Sequence, residues 1–64
     1  MISKREEEVL YLIAQEYTIG MISNAMYISP HTVVTHRKNL MAKFEVKNMA
    51  GMVRRGFELG YLSV

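Results

Sequence analysis

The run Ser29-Pro30-His31-Thr32-Val33-Val34-Thr35-His36-Arg37-Lys38-Asn39-Leu40-Met41-Ala42-Lys43-Phe44 leaves this chain little choice of secondary structure. Serine offers a side-chain oxygen to the free amides of a helix start, and proline at the next position has its backbone angle already set for the first turn. Advancing about 100° per residue places Val33, Leu40 and Phe44 on one side of that helix and His31, Val34, Thr35 and Lys38 on the other. The first set can be buried. The second combines an ammonium donor, a hydroxyl, an imidazole and valine methyls, which together suit base edges in the major groove of DNA. Taken alone, the run fits an ordinary amphipathic helix with a solvated polar face equally well.

The rest of the chain separates these readings. Sixty-four residues make one small domain, and a domain of that size buries only about 60% of the surface its unfolded chain exposes. Cysteine is absent. His31 and His36 are too far apart for one helical face and lack a nearby acid, so they point to capping or phosphate contact rather than to a metal. With no disulfide and no zinc, helix packing or self-association must supply the stability. Charged residues interrupt every long apolar stretch, which argues against a membrane span or a secretory signal, and the expected compartment is the cytoplasm.

Charge is unevenly spread. Residues 1–16 carry Lys4 and Arg5 against Glu6, Glu7, Glu8 and Glu16, whereas residues 17–44 carry Arg37, Lys38 and Lys43 with no acid. A basic middle suits a polyanion, because phosphate neutralisation supplies most of the non-specific affinity for DNA.

Helical periodicity runs throughout, so the expected fold is all-α with four helices over residues 3–15, 19–26, 30–43 and 49–59. Ser3 followed by Glu6 forms a capping-box pattern, and Ile2, Glu6, Val9, Leu10, Ile13 and Tyr17 share one stripe. Thr18 can cap a short second helix with Ile22 and Met26 inward and Ile19 beside them. Asn48 can cap the fourth, with Gly60 as its stop. A short helix, a tight turn and a longer helix with an outward polar face is the helix-turn-helix arrangement.

The chain resembles the LuxR-type helix-turn-helix domains of bacterial transcription regulators, which occur as output domains of response regulators and as small free-standing regulators. The resemblance rests on Ser3-x-Arg5-Glu6-x-Glu8-Val9-Leu10-x-Leu12-Ile13-Ala14, on Ile22, on Ile28-Ser29-x-x-Thr32-Val33-x-x-His36-x-x-Asn39-Leu40-x-x-Lys43-Phe44-x-Val46, and on Val53 and Gly60-Tyr61-Leu62. It implies base contact from Val34, Thr35 and Lys38, with His31 on the same face. It also implies phosphate contact from Thr18, Thr32 and Lys43, joined by His36 and Asn39. Two departures stand out. Ile19-Gly20-Met21 replaces a polar run that usually carries a phosphate-reaching lysine, and Val34 replaces a common lysine.

The same resemblance implies dimerisation through the last helix. Met49, Met52 and Gly56 lie on a face distinct from the Ala50, Val53, Phe57 and Tyr61 stripe; the first three, with Val53 at their edge, are expected at a homodimer interface. Met26 and Met41 read as gap-filling core. Arg37 falls toward the inner half of the third helix, and pairing with Glu6 or Glu8 is expected. No nucleophile stands in register with a base, and there is no glycine-rich phosphate loop or paired-carboxylate motif, so neither an enzymatic activity nor a cofactor is expected. The expected partner is double-stranded DNA, with transcription regulation as the function. The runner-up is a protein-interaction module docking on RNA polymerase or another regulator. RNA is disfavoured because the outward face of the third helix has no aromatic on which a base could stack.

Overall fold

Four side chains start four helices. The computed structural model describes residues 1–64 and contains α1 (Lys4–Ala14), α2 (Ile19–Met26), α3 (Pro30–Phe44) and α4 (Met49–Glu58). Ser3, Thr18, Ser29 and Asn48 accept the amides of Glu6, Met21, Thr32 and Gly51 at 3.1, 3.2, 3.1 and 2.8 Å. The Glu6 carboxylate accepts the Ser3 amide at 2.8 Å in return, which completes the capping box. Each such cap is worth about 1 kcal/mol, and the caps fix where each amphipathic stripe begins.

The helix ends follow a common pattern. After α4 the amide of Gly60 donates to Phe57 and that of Tyr61 to Gly56, with Gly60 left-handed at φ 84°. This is the double turn that satisfies the orphan carbonyls of a helix end. After α1, α2 and α3 the left-handed residues are Glu16, Tyr27 and Glu45, at φ 65°, 56° and 57°. A side chain in that conformation costs about 1 kcal/mol or more, which Gly and Asn avoid. Glu45→Gly and Tyr27→Asn are therefore each expected to raise stability by about 0.5–1 kcal/mol, read as a higher urea midpoint with an unchanged slope.

The turn between α2 and α3 is held by Ser23, which is buried. Its carbonyl accepts the Ile28 amide at 3.2 Å and its hydroxyl donates to the Ile28 carbonyl at 2.6 Å. That clasp sets the direction in which α3 leaves α2.

The core draws Val9, Leu10 and Ile13 from α1, Ile22 and Met26 from α2, Val33, Leu40 and Phe44 from α3, Met52 from α4 and Leu62 from the C-terminal tail. Packing α3 against both α1 and α2 uses its Val33–Leu40–Phe44 side. His31, Thr35 and Lys38 are left exposed and Val34 half-buried. No helix is long and apolar enough to cross a membrane.

Two expectations are corrected here. Met52 is fully buried and Gly56 is buried, so neither can serve as a dimer contact in the folded chain, and Met49 is half-buried against the same core. The face turned to solvent is instead Ala50 and Phe57, with half-buried Val53. Tail packing gives the reason. The turn at Gly60 sends Leu62 back over Gly56, where an added Cβ would lie 2.8 Å from Leu62 Cδ1 and 3.1 Å from Leu10 Cδ2. Only the face without a side chain admits the tail, while Tyr61 stacks on Phe44 with ring centroids 6.0 Å apart. The second correction concerns Arg37, which pairs with neither Glu6 nor Glu8. Glu6 is taken by Lys43 at 2.8 Å and Glu8 by Arg5 at 3.8 Å.

Candidate nucleic-acid interface

The outward side of α3 is a ridge rather than a pocket. The concave grooves of the molecule run beside Tyr11 and Tyr61, along α1 and the tail, and no residue of α3 lines them. A protruding helix with an exposed polar stripe fits a groove in a partner far better than it fits a small molecule.

Along that ridge His31, Thr35 and Lys38 are exposed and Val34 is half-buried, so the structure brings the four expected base-reading residues onto one face. Lys38 forms no ion pair, which leaves its ammonium free to donate. The Thr35 hydroxyl is already committed, donating to the His31 carbonyl at 3.1 Å. Thr32, half-buried at the helix start, shares a 2.9 Å hydroxyl–hydroxyl hydrogen bond with Ser29.

Thr32, His36, Asn39 and Lys43 lie together along one flank of α3 by helical geometry. Asn39 and Lys43 are exposed and His36 is half-buried. Thr18 is exposed at the first turn of α2 while its oxygen caps the helix. Of this set Lys43 differs most from expectation, because its charge is compensated by the buried Glu6 carboxylate. Its ammonium is correspondingly less available to an outside anion. Arg37, on the opposite flank, is half-buried and carries no ion pair. Its expected partners, Glu6 and Glu8, are held by Lys43 and Arg5 instead.

The Glu6–Lys43 pair ties the end of α3 to the start of α1. Burial alone would raise the Glu6 pKa, but the hydrogen bond from Lys43, the Ser3 amide and the Lys43 charge together hold it below the ordinary value of 4.5. A carboxylate with a depressed folded-state pKa stabilises the fold fully above its unfolded value, and that contribution is lost as pH falls through the folded one. The native chain is thus expected to lose stability below about pH 4.5 more steeply than Glu6→Gln, as read from urea midpoints across an acid series. At neutral pH the Glu6→Gln change should cost about 1 kcal/mol, kept small by the partial exposure of Lys43.

The model of the family described as "Bacterial regulatory proteins, luxR family" matches residues 1–55. The uncharacterized response regulatory protein YgeK of Escherichia coli K12 is 33% identical over 63 residues, covering 98% of this chain and 43% of that protein. The response regulator protein VraR of Staphylococcus aureus is 38% identical over 58 residues, covering 91% of this chain and 28% of VraR. The chain therefore spans less than half the length of these relatives.

Proposed function

The chain belongs to the luxR family of bacterial regulatory proteins, and from that premise we propose that it binds double-stranded DNA sequence-specifically and regulates transcription as the output module of a response regulator. The observation that carries this reading is the acid-free outward side of α3, where free Lys38 stands with His31, Val34 and Thr35 on a ridge projecting from a helix-turn-helix. A ridge of that kind enters the major groove, and the α2 start and the α3 flanks then face the phosphates. In this arrangement Thr18, Thr32, His36, Asn39 and Arg37 are the backbone-facing set, and Lys43 is secondary to them.

The reading includes a homodimer formed through the solvent-facing side of α4. Phe57 is 43% exposed beside exposed Ala50 and half-buried Val53, an apolar strip on a small domain that gains stability from further burial. Two copies related by a two-fold axis would set their α3 helices about one DNA turn apart and read a near-palindromic site.

Selection of bound duplexes from a random pool, followed by titration of the winner across salt concentrations, tests the proposal. A recovered consensus and a steep linear fall of log affinity with log salt, about −0.9 per phosphate neutralised, are expected. No enrichment, or an affinity indifferent to salt, would instead favour the protein-docking alternative.

A further inference from the structure

We infer that this chain reads thymine methyl groups in its site, with Val34 and Thr35 as the methyl readers of each half-site beside Lys38. The inference rests on the DNA-binding reading above and specifies what α3 recognises in the groove.

The argument starts from hydrogen-bond donors. In the major groove guanine presents N7 and O6, adenine N7 and thymine O4 as acceptors, so a recognition helix usually needs several donors to discriminate among bases. At the centre of this α3 face the supply is small. Val34 has none. The Thr35 hydroxyl proton is spent on the His31 carbonyl at 3.1 Å. While that bond lasts, Thr35 cannot donate to a base, and what it has left for the groove is its methyl group and an acceptor lone pair. One turn earlier, Thr32 lies on the flank shared with His36, Asn39 and Lys43 rather than on this face, so its hydroxyl does not replace the missing donor. Lys38 is the one ammonium on this face, and the exposed His31 imidazole at its start is the other side-chain donor.

Methyl groups remain. Val34 is half-buried and Thr35 exposed, so the two side chains offer adjacent apolar surface on the side of α3 turned away from the core. Only thymine presents a methyl in the groove to meet them. Burying one methyl-sized group is worth about 0.8 kcal/mol, or about fourfold in affinity. A half-site built on these contacts combines thymines under Val34 and Thr35 with an acceptor-bearing base under Lys38.

Deoxyuridine, which pairs like thymidine and lacks only the methyl, gives the test. Starting from the duplex selected by the native chain, each thymidine is replaced singly by deoxyuridine and the dissociation constant measured. At one or two positions per half-site the affinity should drop about fourfold per methyl removed. In Thr35→Ser, which keeps a hydroxyl and loses the methyl, the thymidine-to-deoxyuridine ratio at one of those positions should fall to about one. Thr35→Val, which keeps methyl groups and loses the hydroxyl, should preserve that ratio. Val34→Ala, which shortens the apolar surface to a single methyl, should lower the ratio at the other position.

A ratio of one at every position of the selected duplex overturns the inference while leaving sequence-specific binding intact. Unaltered ratios in Thr35→Ser and Val34→Ala overturn the residue assignment. Failure of the native chain to select any duplex overturns the DNA-binding reading and this inference with it. The deoxyuridine series changes only the DNA, so its outcome is independent of how well any variant folds.

Discussion

Met52→Glu is expected to unfold the chain. The Met52 side chain is fully buried, in a core that also holds Leu10, Leu40 and Phe44. Removing it costs about 2–5 kcal/mol in packing. A carboxylate in the same place must also be desolvated without a partner, or stay protonated at a further cost. A small domain has total stability of only about 5 kcal/mol, so the sum approaches or exceeds what holds it folded. Circular dichroism should show the helical signal largely lost at room temperature. Phe57→Glu, on the solvent side of the same helix, is the matched control: the fold should persist, and loading of two copies on a symmetric duplex should lose its cooperativity. A folded, well-packed Met52→Glu monomer would contradict the orientation of α4 described above.

That orientation marks where sequence reasoning stops. Both sides of α4 carry apolar side chains, so periodicity finds the helix without choosing its inner face. The choice is made by Leu62, which descends on Gly56 after a turn of chain that no helical wheel represents. For α1, α2 and α3 a single apolar stripe exists, and Val9, Leu10, Ile13, Ile22, Met26, Val33, Leu40 and Phe44 are all buried as expected. The helix starts were legible for a similar reason. A cap is a contact between residues three apart, so Ser3, Thr18, Ser29 and Asn48 announce it locally. Helix ends were less so, since three of the four close on Glu16, Tyr27 and Glu45, where no glycine signals the left-handed turn.

The candidate interface divides along the same line. The four outward residues of α3 follow from helical geometry and stand where it put them. The state of their polar atoms does not follow. That the Thr35 hydroxyl turns back on His31, that Lys43 is held by Glu6, and that Arg37 is left free all depend on contacts absent from a linear pattern. Two of these three facts move charge between the flanks of α3, so they bear on how the helix would sit between phosphates.

Lys38→Ala should have the largest effect of any single change on the DNA-facing side. Its ammonium is exposed, free of acids, and the one cationic donor on the base-reading face. A lysine donating to a guanine O6 or N7 gives about 1–3 kcal/mol of discrimination, so the selected duplex should bind about 5- to 150-fold more weakly. A random duplex should lose far less, and preference should relax at one or two base pairs. Lys43→Ala is expected to behave differently, because its main partner is within the protein. Leaving the Glu6 carboxylate buried without its cation costs stability and loosens the seat of α3, while the specificity ratio between duplexes stays near its native value. Lys38 is thus distinguished from Lys43 by a ratio of affinities rather than by affinity itself. Equal losses for Lys38→Ala on selected and random duplexes would make Lys38 a phosphate contact, and would require base discrimination to come from Val34, Thr35 and His31 alone.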